Sequence, residues 1–343
     1  MAKIAVEFEP IRRSAIGRLP GRPARLVLAR GDGWSVSDVV CSAGPHDRPF
    51  EEQFSDVCIA IVMTGSFQYR SSASRELMTP GSVLLGNAGQ YFECGHEYGA
   101  GDRCISFSYK RQYFESLAAE AGLLSRNAHF SALRIPPVRG LSSLVARACA
   151  GLVESDAVAP GCEQSMFARK AKKLARNCVE HASGSNAGMP EWEEISFELA
   201  HRALEMSGGS TPSPRTLPAA EARVTRIVRM IESGSHLDLG LGSLAQEVKL
   251  SRYHFLRIFQ QLTGLTPHRY ILRAKLRRAA TRLMLQPAKV LDIAFDSGFG
   301  DVSNFNHAFC REFGVSPRSY RRNARSHRRF YPSAQSWMQS TQA

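Results

Sequence analysis

Two short stretches of this chain carry side chains suited to reading the edges of base pairs. In the first, Arg252, Tyr253, Leu256, Arg257 and Gln260 lie on one face of a helical period whose other face is Phe255, Ile258, Phe259 and Leu262. An arginine so placed can hold guanine O6 and N7 with two hydrogen bonds, worth about 1–3 kcal/mol of discrimination. Arg257 is the leading candidate for that contact. Leu256 offers apolar contact to a thymine methyl, and Tyr253 a donor for a phosphate or a surface for a sugar. In the second stretch, Phe305, Phe309 and Phe313 form the apolar face and leave Val302, Ser303, Asn306 and His307 on the other. Asn306 can pair with an adenine, while His307 suits a phosphate or a single base. A polar helix face by itself is ordinarily just solvated. The weight of the reading therefore rests on the two stretches being copies of one another.

The repeat is explicit. Phe255, Phe259, Gly264, Thr266, Pro267 and Tyr270 recur fifty residues later as Phe305, Phe309, Gly314, Ser316, Pro317 and Tyr320, a shared F-x3-F-x4-G-x-[ST]-P-x2-Y pattern. Just upstream, Leu244-Ala245 matches Ile293-Ala294 at an offset of forty-nine, so the second copy has one extra residue in its turn. In the first copy the spacing predicts a short helix over 242–248, then a helix capped by Ser251 and running to about Leu262. In the second it predicts a helix over 290–296, the turn Ser297-Gly298-Phe299, and a helix capped by Asp301 or Ser303 that ends at Phe313. Gly264 and Gly314 stop the second helix of each copy, and the proline three residues on starts the next. A short helix, a tight turn and an amphipathic helix make a helix-turn-helix, whose second helix lies in the major groove.

Charge agrees with this placement. From Glu221 to Phe330 there are 20 Lys and Arg against 8 Asp and Glu, whereas the rest of the chain holds 24 against 23. A near-neutral region joined to a basic one implies a polyanionic partner.

The other elements fall into segments. SGGSTPSPRTLPAA, at 207–220, is too rich in Ser, Gly and Pro for a helix or packed strand and reads as a flexible linker. Between about Asp56 and Lys110, VCIAIVM, FQYR, SVLLG, YFEC and CISFSY alternate with turn signals, which predicts a small antiparallel barrel or sandwich. Residues 141–206 turn helical, with Leu141, Leu144, Val145, Ala148 and Leu152 on one face and Phe167, Ala171, Leu174, Ala175 and Cys178 on another. Both packing on the β-region and dimerisation are open for these helices.

The eight cysteines contain no C-x-x-C pair and no disulfide spacing. One cluster has ligand chemistry: Cys94-Gly-His96-Glu97 precedes Asp102-Arg103-Cys104, with Cys41 and His46 on an earlier segment. A set drawn from Cys94, His96 and Cys104 would make a metal site or a redox-sensitive thiol; buried structural thiols are the plainer reading. No stretch of about 18 apolar residues suggests a membrane span, and the N-terminus lacks a secretory pattern, so a cytoplasmic location is expected.

LAQEVKLSRYHFLRIFQQLTGLTPHRYI followed by IAFDSGFGDVSNFNHAFCREFGVSPRSYRR resembles the AraC/XylS family of transcription regulators, over about residues 222–324. The resemblance implies two helix-turn-helix units joined by a long helix, here from about Thr266 to Leu285, presenting two recognition helices to successive major-groove turns. Arg273, Lys275, Arg277, Arg278 and Arg282 of that helix would track phosphates. One departure stands out: the family usually has Gly in the first turn, where this chain has Lys249.

The resemblance also implies a cupin-like β-barrel ahead of the DNA-binding module, binding a small effector and aiding dimerisation, with Met78–Leu85 as a turn and strand of such a barrel. The metal-binding histidine pattern of cupins is absent. The expected fold is therefore α+β: a β-rich, cupin-like sensor over 1–140, a helical segment over 141–206, a linker over 207–221, an all-α DNA-binding domain over 222–326 and a tail over 327–343. The expected function is a DNA-binding transcription regulator, an activator by family habit, with promoter DNA and RNA polymerase as partners and no established cofactor. No Ser/His/Asp or P-loop pattern suggests an enzyme. A methyl-accepting DNA-repair domain and an enzymatic cupin are the alternatives, each lacking its metal ligands.

Overall fold

The computed structural model describes residues 23–72, 74–99, 101–120, 128–158, 192–207, 218–234 and 240–330. Nine antiparallel strands come first and a tenth follows one helix later: β1 Ala24–Gly31, β2 Trp34–Cys41, β3 Phe50–Gln53, β4 Val57–Gly65, β5 Phe67–Ser71, β6 Arg75–Met78, β7 Val83–Gly86, β8 Tyr91–Gly95, β9 Asp102–Tyr109 and β10 Arg134–Ile135. The five strands expected from alternation are all present. β1 to β3, β6 and β10 are additional.

The expected cupin-like barrel is not what these strands build. They form two open sheets, one ordered β1-β2-β9-β4-β7-β10 and one ordered β3-β8-β5-β6. No pairing joins the two sheets among the described residues, so neither closes on itself. The physical reason lies at the edges. β10 contributes two residues and pairs with β7 alone, while Leu77 of the edge strand β6 is buried among helical residues such as Val224 and Phe259. A covered edge has no need of a strand partner.

The core between the sheets follows the two-residue period. Cys58, Ala60 and Val62 of β4 pack with Phe67, Tyr69, Met78 and Cys94 of the smaller sheet. The alternate residues Ile59 and Ile61 of β4, with Ile105 and Phe107 of β9, are also fully buried, so the central strands are covered on both faces. On β9, the Tyr109 hydroxyl donates to the Ser196 carbonyl at 2.8 Å and its ring packs on Phe114.

Ten helices are described: α1 Arg111–Glu120, α2 Ser142–Val158, α3 Trp192–Ser207, α4 Pro218–Glu232, α5 Leu241–Glu247, α6 Arg252–Thr263, α7 Pro267–Leu285, α8 Val290–Asp296, α9 Val302–Phe313 and α10 Pro317–Phe330. Leu141, Leu144, Val145, Ala148 and Leu152 are buried as their period predicts. The second apolar face expected at Phe167–Cys178 lies outside the described residues, as do most of the expected linker and tail. The linker is shorter than expected, because Pro218 to Glu221 form the first turn of α4. Proline is tolerated there, where its missing N–H has no intrahelical partner anyway.

The chain divides into two compact units that do not follow chain order. The described residues up to Val145 belong with Ser196–Lys275, and those of Ala146–Ile195 belong with the residues from Leu276 onward. In the first unit, Val224, Ile227, Val228 and Ile231 of α4 join Leu244, Phe255, Phe259, Leu262 and Tyr270 in one core, which also takes in Leu77 of β6. In the second unit, Ile293, Ala294, Phe305 and Phe309 are fully buried. Phe309 packs on Phe305, Phe313 and Tyr320 with ring centroids 5.5, 4.4 and 5.3 Å away.

The helix-ending glycines test this packing. Gly264 and Gly314 both adopt φ 77, a left-handed conformation that costs an L-residue about 1–2 kcal/mol. A Cβ at Gly314 would meet nothing within 4 Å, whereas one at Gly264 would lie 2.6 Å from Pro136 Cβ. Gly314→Ala should therefore lose about 1–2 kcal/mol in urea unfolding, and Gly264→Ala clearly more. Equal losses would show that the Pro136 contact carries no weight.

Candidate nucleic-acid interface

The two copies close their first helices with the same pair of backbone bonds. After α5, Lys249 N donates to Gln246 O and Leu250 N to Ala245 O, both at 2.9 Å. After α8, Gly298 N donates to Phe295 O at 2.9 Å and Phe299 N to Ala294 O at 3.2 Å. This is the same crossed pair of bonds that closes a helix on a left-handed residue. Gly298 adopts φ 86 and Lys249 adopts φ 55, the sole non-glycine residue with positive φ among those described. The lysine accepts a strain of about 1–2 kcal/mol where glycine would not.

Each second helix is then capped. Ser251 Oγ accepts from His254 N at 3.3 Å, and Asp301 Oδ1 accepts from Asn304 N at 2.7 Å. Asp301, not Ser303, is thus the second cap. α6 and α9 have twelve residues each, and both end at a glycine with φ 77.

Burial separates their faces as the spacing predicts. On α6, Phe255, Ile258, Phe259 and Leu262 are buried, while Arg252, Tyr253, Arg257 and Gln260 are exposed and Leu256 is half-buried. Tyr253 is 77% exposed. On α9, Phe305 and Phe309 are buried, Phe313 is half-buried, and Ser303, Asn306 and His307 are exposed. Val302 is half-buried.

The long helix is less accessible. Arg273, Lys275, Arg277, Arg278 and Arg282 of α7 are all half-buried. The Arg273 guanidinium donates to the Pro137 carbonyl, and that of Arg282 to Asp296 Oδ2 at 2.7 Å and Gln286 Oε1 at 2.9 Å. Groups so engaged are poorer phosphate contacts than the exposed Arg257. Gln286 stands four residues on from Arg282, a spacing visible in the sequence, whereas Pro137 and Asp296 lie on other segments that no local pattern points to.

In the β-region, His96 meets Asp102 and Cys41, not the pair Cys94 and Cys104. His96 Nε2 is 2.6 Å from Asp102 Oδ1, and donor atoms of Cys41, His96 and Asp102 all lie within 4.8 Å of one another. Cys104 Sγ donates to Asp102 Oδ2 at 3.3 Å. Burial would push the His96 imidazole down, but the Asp102 carboxylate bonded to it and the neighbouring Cys41 sulfur outweigh it and hold it up at about 9. Burial pushes the Cys94 and Cys104 thiols well above their usual range, with the Asp102 charge adding to the effect. A redox-sensing thiol needs the opposite shift. His46 is exposed on a loop, and Glu97 pairs with Arg70 and Arg75.

A further polar contact ties β6 to α4. Arg75 Nη2 lies 2.6 Å from Glu221 Oε2 and 3.3 Å from Glu97 Oε2, and the Glu221 side chain is 4% exposed. Its two residues are separated by 146 positions, which no local pattern could link.

Comparison with known proteins bears on the C-terminal third. Residues 244–323 match the family described as a helix-turn-helix domain. The chain is 37% identical over 101 residues to the HTH-type transcriptional activator RhaS of Klebsiella pneumoniae (strain 342), covering 29% of this chain and 36% of the relative. It is 34% identical over 105 residues to the RhaS of Escherichia coli (strain SE11), covering 31% and 38%. The chain thus spans little more than a third of the length of these relatives. Among solved structures, an AraC-type transcriptional regulator from Chromobacterium violaceum shares 25% identity over 32% of this chain and 96% of its own, with a TM-score of 0.29. The DNA-binding domain of AdpA in complex with a target DNA shares 26% identity over 31% and 96%, with a TM-score of 0.30.

At the level of the domain the family match and the local geometry agree: residues 244–323 carry a helix-turn-helix domain, built as two copies of one unit. The matched relatives are transcriptional activators by name. Among the described residues no helix is long and apolar enough to cross a membrane.

Proposed function

We propose that the whole chain is a sequence-specific transcription regulator that reads duplex promoter DNA with α6 and α9. The carrying observation is the duplicated cap, turn and stop geometry, which presents two exposed polar faces from one polypeptide. In this reading residues 222–326 bind DNA, the sheets within 1–140 receive a small effector, 141–206 serve dimerisation and the stretch between α3 and α4 links the parts. The relatives' names support an activator, and hence contact with RNA polymerase, in the cytoplasm. The half-sites are read unequally. Arg257 holds a guanine, Tyr253 and Arg252 touch the backbone, and Gln260 and Leu256 lie alongside. On α9, Asn306 reads an adenine, with Ser303, Val302 and His307 adding weaker contacts.

The experiment is selection of bound duplexes from a random pool, followed by footprinting. One bipartite protected site is expected. Arg257→Ala should leave unfolding unchanged and remove about 1–3 kcal/mol of discrimination at one base pair. Equal loss of affinity for the selected and for random duplexes would defeat the assignment, because a phosphate contact weakens all sequences alike.

A further inference from the structure

Away from the DNA-reading faces, three donors of different chemistry meet inside the β-region. Cys41 is the last residue of β2, His96 follows directly on β8, and Asp102 opens β9. The β2–β9 register sets Cys41 opposite Asp102. Just past the end of β2, Ala43 O accepts from Gly101 N at 2.8 Å, and Gly99 N donates to His96 O at 3.3 Å in the turn after β8. Gly101 is required by this closeness, since a Cβ there would lie 2.9 Å from the Cys41 carbonyl oxygen.

All three side chains are buried, with Cys41 at 3%, His96 at 4% and Asp102 at 7% exposure. One nitrogen of the imidazole contacts the carboxylate, but the other, Nδ1, is buried without a hydrogen-bond partner.

We infer that Cys41, His96 and Asp102 form a binding site for a thiophilic divalent cation of the zinc type. A thiolate and an imidazole select such ions over calcium or magnesium, and the carboxylate completes a mixed S, N, O set. In a tetrahedral zinc site the donors stand about 3.3–3.8 Å apart. Here the His96–Asp102 contact is 2.6 Å and the widest donor separation is within 4.8 Å. Shifts of about 1 Å, within reach of side-chain rotation, bring the donors to that spacing. The cation takes the place of the proton now lying between His96 and Asp102. Three protein donors leave a fourth position for water or an exogenous ligand.

The test uses the full chain and is independent of DNA binding. Cys162, Cys178 and Cys310 are first replaced by serine, so that the five thiols remaining, Cys41, Cys58, Cys94, Cys104 and Cys149, are all buried. This protein is loaded with Co2+, desalted, and examined for retained metal and for a thiolate-to-cobalt charge-transfer band. One retained ion per chain with that band is expected, as is competition by Zn2+ but not by Mg2+. Cys41→Ala and His96→Gln should weaken retention by more than the roughly 10–100-fold that loss of an orienting partner costs. Cys94→Ser should leave band and retention intact. Should the first two variants not fold, the near-isosteric Asp102→Asn carries the test, with the same loss expected. No retained metal in the background protein overturns the site. So does full retention in Cys41→Ala or Asp102→Asn, or loss in Cys94→Ser.

Discussion

Phe259→Ala should cost about 3–5 kcal/mol of stability, the range for deleting a fully buried phenyl ring. Phe259 is 0% exposed, with its centroid 5.5 Å from Phe255 and 5.7 Å, edge-on, from Tyr270. The same core holds four residues of α4 and Leu77 of β6, so the cavity would open where helices and sheet share packing. Phe309→Ala is the matched experiment in the second copy. It should cost a similar 3–5 kcal/mol, because Phe309 touches Phe305, Phe313 and Tyr320. Urea unfolding measures both. A loss under about 1 kcal/mol at either site would mean that its aromatic cluster does not hold the recognition helix in place. Arg257→Ala is the counterpart on the opposite face of α6, changing recognition and not stability.

Removing Arg75 should be nearly as damaging, for an electrostatic reason. Arg75→Ala strands the Glu221 carboxylate, 4% exposed, with Glu97 as a like-charged neighbour. Breaking a buried pair costs 3–5 kcal/mol, and since Arg75 is itself 31% exposed the low end, about 3 kcal/mol, is expected. Burial already holds the Glu221 carboxyl above its ordinary 4.5 in spite of Arg75. A raised carboxyl contributes stability that is complete below its unfolded pKa and is lost as pH rises through the folded value. Without Arg75 the folded value climbs further, so the variant's deficit should be small in acid and grow toward neutral pH. Adding Glu221→Gln should recover part of it, since the amide carries no charge to bury. A deficit that is flat with pH, or that Glu221→Gln does not relieve, would remove the charge argument.

The C-terminal third was legible because its information is local. Helix period, a serine or aspartate cap, and a glycine at a left-handed stop each act over a few residues, and each appears twice. Even the strain at Lys249 follows from comparing it with Gly298, since the same crossed bonds demand the same backbone in both copies. The upstream strands were legible where apolar runs were long, as at Val57–Gly65. β2 is a weaker signal, because Ser35, Ser37 and Asp38 interrupt its apolar residues although Ser37 and Asp38 are buried.

Sequence alone thus determined the helices of the repeat and the longer apolar strands, where the repeat begins and ends, and which face of each recognition helix stays exposed. Tertiary structure decided what depends on distant partners. The sheets stay open, since the β6 edge is covered by helices and not paired into a barrel. Arg273 is turned toward Pro137, and His96 toward Cys41 and Asp102 rather than Cys94 and Cys104. The reason is common to all three. Caps and turns are short-range and repeat wherever their residues repeat, whereas edge covering and buried ion pairing depend on which remote segments fold against one another.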